Sequence, residues 1–475
     1  MMSTHFKRFK QDTLSHSSSS FKSWVCYAFL PVSLCLGCGD HSTGEQADLS
    51  QEMQSTPQAE SELEGMESNP ELEASEYTLI RSDREHDDSP EVSSEVFSQH
   101  VMANQEFSFT LHREAVPQDK ANVMLSAWSV RQAFALMLPG ANERGREAIS
   151  ATLGFDLDLT NALRATNELN DELDARQMDE SESQAPIILC SANSIWVAHD
   201  SEIQAPYLDM ISEHLDTGVY MVDFKGDPEG AQQAINTWVE EKTQDRIQNL
   251  LPRDIISELT KTVFTNAVFF KAPWSKPFNE QATTSAPFMT SAGEEVMTDM
   301  MKGEQYASAA LVDGTQVLTL PFRDNQLAMT FLMPIEDSIT ELEIDLNAER
   351  WAELLSQQVS ELRIVTLPKF KFETTVPELG EYFKEKETNL LFESGAIDQV
   401  LSEQALVISK IVHKSFIEIT ETGGEASAAT AIITSEPSIP EYGPEVVIDR
   451  AFLFAIHDQT TGAILFFGKV GNPSE

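Results

Sequence analysis

Eight runs dense in Val, Ile, Phe and Thr lie between residues 186 and 470, and several are apolar at odd and even positions alike, among them KTVFTNAVFFKAPW (261–274) and GAILFFGKV (462–470). A strand with two apolar faces must sit between two other layers, so these runs demand a large sheet covered on both sides. The stretch VLTLPFRDNQLAMTFLMP (317–334) reads as a hairpin turning at Arg323, Asp324 and Asn325. Helical patterns come mostly earlier. Phe107 and Leu111 share one stripe, and SVRQAFALMLPGA (129–141) is stopped by Pro139 and Gly140. DPEGAQQAINTWVEEKTQDRIQNLLP (227–252) reads as one amphipathic helix with Ile235, Trp238, Val239, Ile247 and Leu250 on a common face, ending at Pro252. Helices early and strands late predict an α+β domain rather than repeated βαβ units, and no period of the kind that marks solenoids is present.

Between two of the last apolar runs sits ETGGEASAATAIITSEPSIPEYGPE (421–445), with hardly a side chain large enough to pack. A Gly/Ala/Ser linker is one reading, although linkers seldom interrupt a single domain between buried runs. If the stretch were extended, its two faces would differ. By period two, Gly424, Ala426, Ala428 and Thr430 share one face, and Glu425, Ser427, Ala429 and Ala431 share the other. The one charge of that stretch is thus opposite the all-small set, and no proline removes a backbone donor before Pro437.

The N-terminal region has a different character. Lys7, Arg8, Lys10 and Lys22 precede the apolar run WVCYAFLPVSLCLG (24–37), which is followed by Cys38. The run is short for a membrane span and reads as an export signal over residues 1–37. Its end resembles a bacterial lipoprotein cleavage site at which Cys38 would receive lipid. Cys35 stands three places ahead, where such sites usually have Leu. An ordinary secretory signal and a short buried segment are the alternatives. Residues 38–100 are acidic and rich in Ser and Gln; between 39 and 100 there are seventeen acidic side chains against two basic ones, so an extended, disordered spacer is expected there, with an acidic binding tail as the alternative. The folded domain is expected over 101–475, where Cys190 is the only cysteine and leaves no internal disulfide.

Charge and motifs narrow the function. Lys and Arg total 32 against 77 Asp and Glu, a formal net charge of −45, which disfavours nucleic acid or any other polyanion as a partner. The chain lacks a G-x-S-x-G elbow, an H-E-x-x-H helix, a paired Cys-x-x-Cys and a Walker loop. The ten His residues are scattered. No catalytic residue, metal site or cofactor is assigned, and the chain is not read as an enzyme.

NAVFFKAPWSKPF (266–278), NVMLSAWSV (122–130), NSIWV (193–197), LPKFKF (367–372), ISKIVHKSFIEITETGGEASAAT (408–430) and DRAFLFAIHDQTTGAILFFGKVGNP (449–473) occur in an order that resembles the serpin family of suicide protease inhibitors, from about residue 101 to Pro473. The resemblance implies about nine helices around three β-sheets, with 421–445 displayed as a reactive-centre loop that is cleaved and then inserted into the main sheet. Implied hinge residues are Glu421, Gly423, Gly424, Ala426, Ala428 and Thr430; Gly424 stands where inhibitory members usually have Thr or Ser. Ser126, Ser129, Asn266 and His413 resemble the shutter under the parting strands. Trp274, Lys369 and Glu421 resemble the breach where insertion starts, with Lys369 and Glu421 as an ion pair.

The cut falls at Pro437-Ser438 counting from Glu421, or at Pro440-Glu441 counting back from Pro444, Glu445 and Val446. Ser438-Ile439, Glu441-Tyr442 and Tyr442-Gly443 also stay open. Residues 422–449 hold no Lys or Arg, which argues against a trypsin-like target. The implied function is inhibition of an extracellular serine protease, or a cysteine protease, by an exported monomer that touches the membrane only through its lipid. A non-inhibitory carrier, chaperone or protease substrate is the alternative.

Overall fold

The computed structural model describes residues 77–475 apart from 182–184, 337, 377–378, 394 and 425–440. Its strands, in chain order, are β1 (Thr78–Ile80), β2 (Asn122–Leu125), β3 (Ile188–Ala198), β4 (Val219–Val222), β5 (Thr262–Pro273), β6 (Thr284–Met289), β7 (Glu295–Val312), β8 (Thr315–Pro321), β9 (Leu327–Pro334), β10 (Val359–Pro368), β11 (Phe370–Val376), β12 (Ile411–Thr420), β13 (Gly423–Gly424), β14 (Val446–Val447), β15 (Phe452–Asp458) and β16 (Ile464–Val470). The helices are α1 (Ser94–Ala115), α2 (Ala127–Ala135), α3 (Glu143–Leu153), α4 (Leu159–Asp174), α5 (Ala205–Leu215), α6 (Pro228–Lys242), α7 (Ile339–Asp345), α8 (Ala348–Ser356) and α9 (Leu379–Lys384). The expected α+β architecture is present, with the hairpin turning at Arg323–Asn325 between β8 and β9.

The main sheet runs β1-β4-β3-β5-β13-β12-β11. Its β5 is buried almost throughout because both faces are covered. Val263 and Ala267 lie under α6 with Trp238 and Ile235, while Val268, Phe270 and Ala272 face the core shared with the second sheet. The three sheets expected form two continuous hydrogen-bonded ladders. The eighteen-residue β7 is the reason: its first part pairs with β6, its middle with β10 and its end with β8, which joins the two smaller sheets through one strand.

Two boundaries move. Residues 77–100, expected to close a disordered spacer, hold β1 and the first turns of α1, whose Ser93 cap accepts from the Val96 N–H at 3.3 Å. This segment is held largely by polar pairing, to which hydrophobic content is blind. The helix expected over 227–252 begins as read, with the Asp227 side chain capping Gly230 and Pro228 at the first position, but stops at Lys242. The Thr243 hydroxyl donates to the Val239 carbonyl at 2.8 Å and accepts from the Ile247 N–H at 3.2 Å, and Gln244 and Asp245 take left-handed backbone conformations. Ile247 and Leu250 are buried under the sheet all the same, delivered by a turn rather than by the helix.

Candidate functional site

The end of β12 carries the chain into a two-residue turn at Glu421 and Thr422, after which Gly423 and Gly424 re-enter the sheet as β13. Gly424 lies opposite Ile419 of β12 and Ala272 of β5; Gly423 lies opposite Thr420 and Pro273. Farther along, the same two strands pair directly and in parallel, from Phe264–Ile411 to Val268–Ser415. One end of the β5–β12 seam is closed, and the other is wedged apart by a pair of glycines. Only glycine fits at 423: its φ is +124°, and a Cβ there would stand 2.5 Å from the Ala272 carbonyl oxygen and 2.6 Å from the Trp274 nitrogen. A Cβ at 424 would meet nothing nearer than 3.6 Å, so Gly424 is not forced by space.

Trp274, Lys369 and Glu421 meet at this wedge. The Trp274 indole N–H donates to the Thr420 carbonyl at 3.0 Å, and the ring stacks on Phe322 with centroids 4.8 Å apart. Lys369 Nζ is 3.0 Å from Glu421 Oε2. Thr283 was not anticipated; its hydroxyl donates to Glu421 Oε1 at 2.6 Å. Burial pushes the Glu421 carboxyl up, but the donors Thr283 and Lys369 outweigh it and hold the group below its ordinary value, so the wedge is fixed by an ionised carboxylate. The Phe278 N–H adds a 2.7 Å bond to the Glu421 carbonyl.

Ser126, Ser129, Asn266 and His413 converge behind the closed end of the seam. Asn266 Nδ2 donates to Ser129 Oγ at 2.7 Å, and the Ser126 N–H donates to His413 Nε2 at 3.3 Å. Because Nε2 accepts, the proton is on Nδ1, which donates to Asn266 Oδ1. Burial pushes His413 down to about 4, so the ring is neutral near pH 7. Asn193 completes the group and was missed: it lies directly opposite Asn266 on β3, and its Oδ1 takes a 2.6 Å bond from Asn266 Nδ2. Asn193, Asn266 and His413 form one polar rung across β3, β5 and β12.

The far flank of the 421–445 segment is pinned to the second sheet. The Tyr442 hydroxyl donates to Glu304, the Gly443 N–H donates to the Leu362 carbonyl at 2.9 Å, Arg363 Nη1 donates to the Pro444 carbonyl at 3.3 Å and Lys302 Nζ bonds Glu445 at 2.8 Å. Val446 and Val447 then pair with β10. Ala426, Ala428, Thr430, Pro437 and Ser438, like Cys38, lie outside the described residues.

A model of the family described as serpin (serine protease inhibitor) matches residues 102–473. Human Serpin B3 is 31% identical over 78% of this chain and 98% of its own length. The structure of Serpin48, described as a highly specific serpin of the insect Tenebrio molitor, matches 80% of this chain and 99% of its own with 30% identity and a TM-score of 0.68. That of human thyroxine-binding globulin matches 80% and 100% with 23% identity and a TM-score of 0.69, a likeness of fold. With the family model matching residues 102–473, from within α1 to beyond the last strand, the chain belongs to the serpin family.

Proposed function

We propose that the protein inhibits an extracellular serine protease irreversibly, by offering residues 425–440 as substrate and inserting the part upstream of the cut into the main sheet. The observation that carries this reading is β13, whose two residues already sit between β5 and β12. Extended by simple alternation on insertion, its register would put Ala426 between Ile417 and Phe270, Ala428 between Ser415 and Val268, and Thr430 between His413 and Asn266. On the side bonded to β5 the ladder can run to Thr434 opposite Thr262. The small set would then face the core and the Glu425 set the α6 side. An acyl-enzyme carried along this path travels roughly 3.3 Å per residue inserted, far beyond the error its triad tolerates.

The pinned flank favours a cut upstream of Tyr442. A protease must grip several residues on each side of the bond in extended form, and Tyr442 through Val447 are bonded to the second sheet. That leaves Pro437-Ser438 and Ser438-Ile439 as the preferred bonds. Incubation with serine proteases that do not require Lys or Arg should give a complex that survives denaturing electrophoresis, and a released C-terminal peptide beginning at Ser438 or Ile439. Cleavage without any such complex would assign the chain to the non-inhibitory alternative, in a fold that thyroxine-binding globulin shares.

We further propose export, with lipid on Cys38 tethering the molecule to the cell surface through the acidic N-terminal segment. The expected signature is a mature N-terminus at Cys38 bearing a diacylglyceryl mass; a free thiol there would remove the tether from this reading.

A further inference from the structure

Residues 77–93 precede the family match, yet they bind the described body along a continuous line. β1 pairs antiparallel with β4, Thr78 opposite Met221 and Ile80 opposite Val219, and extends the main sheet at its edge. The Tyr77 ring packs edge-on against Trp196 and Tyr220 at 5.5 and 5.6 Å. Beyond β1, Arg81, Ser82 and Arg84 meet Asp209, Ser212, Glu213 and Asp216, four residues on one stripe of α5 and its C-cap. Arg81 and Arg84 are the only basic residues between 39 and 100. Farther on, the His86 ring lies 3.0 Å from the Glu213 carbonyl and 3.8 Å from Asp171, and Asn167 of α4 donates to the Asp87 carbonyl at 2.7 Å.

The body also makes room for this segment. A Cβ at Gly218 would stand 2.3 Å from the Ile80 carbonyl oxygen and 2.6 Å from Arg81 Cγ, so any larger residue would push the chain off. Room at 218 matters only if something lies there.

We propose that residues 77–93 are a strap that slows opening of the main sheet and so sets how long the intact protein stays primed. The inference rests on the insertion reading above. Parting β5 from β12 moves β5 together with the strands bonded to it, β3, β4 and β1, by about one strand spacing, roughly 4.8 Å. One end of the strap belongs to that moving block, and the other is bonded to α4, which packs on α1 and α2. Opening therefore stretches the strap's bonds in the transition state, and bonds lost on the way to a barrier raise it.

The test uses the full chain. R81A/R84A severs the hold on α5, and G218V expels β1 from β4; none of the three residues belongs to the hinge, breach or shutter. Amide hydrogen exchange at Phe264–Val268 and Ile411–Ser415 reports seam opening with no protease present. Incubation at elevated temperature reports the rate at which the intact protein converts to a heat-resistant form that no longer inhibits. Both rates should rise about threefold in R81A/R84A, whose ion pairs are exposed, and about tenfold in G218V, which costs the backbone bonds of β1. Unchanged exchange across the seam, in variants whose residues 78–80 have themselves lost protection, would overturn the strap. Because exchange needs no target, faster opening without protease complexes would sink the inhibitory reading and keep the strap; complexes with unchanged exchange would do the reverse.

Discussion

Cut once within residues 425–440, the protein should melt about 10 °C or more above its intact form, in the same buffer and with both pieces present. The seam explains the size. In the intact chain β5 and β12 share five register pairs in parallel, and β13 contributes two residues. Insertion gives up those five pairs and lets about ten further residues bond to a strand on each side, with net gains of roughly 0.5–1.5 kcal/mol per bond, a total on the order of 10 kcal/mol. For a body of this size each kcal/mol moves the midpoint by about 1.3 °C. Antiparallel pairing on both sides also replaces a parallel ladder that is slightly weaker per residue. Scanning calorimetry of intact and clipped protein checks this directly. Equal midpoints would mean that the loop stays outside after cleavage, and the trapping mechanism would have no driving force.

Much of the site was legible because its parts are contiguous. NAVFFKAPWSKPF carries both Asn266 and Trp274, and ISKIVHKSFIEITETGG carries His413, Glu421 and the two glycines. Their partners were harder to see. Asn193 reaches Asn266 only through the pairing of β3 with β5, a register that no local pattern specifies, though its place in NSIWV was a usable hint. Thr283 reaches Glu421 across 138 positions. The strap was misjudged for a physical reason: it binds through two arginines, short hydroxyl side chains and one small strand, and a reading based on apolar content registers none of these. The end of α6 was misjudged because Ile247 and Leu250 continue the apolar periodicity, while the chain reaches the same core by left-handed turns.

Thr430→Arg should convert the inhibitor into a substrate, raising the number of molecules consumed per protease trapped about tenfold or more while leaving the intact fold unchanged. The register carried forward from β13 would set an inserted Thr430 on the rung of His413 and Asn266, facing inward. Both neighbours are fully enclosed, and Val130, Ala133, Phe134 and Met137 lie behind Asn266. A threonine can replace the His413–Asn266 hydrogen bond with one of its own as the strands part. An arginine brings a guanidinium into a space that offers no carboxylate among those neighbours, and an unpaired buried charge costs several kcal/mol. Insertion would stall partway, and the acyl-enzyme would have time to hydrolyse. Glu425→Gln is the matched control, since on insertion position 425 would fall on the opposite face beside Lys271 and Glu418, both partly open to solvent. Titration of a fixed amount of protease with each variant reads the stoichiometry, and circular dichroism of the intact proteins checks the fold. A Thr430→Arg protein that still traps protease one for one would show that the loop follows another register or does not enter the sheet, and the steric logic of its small residues would have to be abandoned.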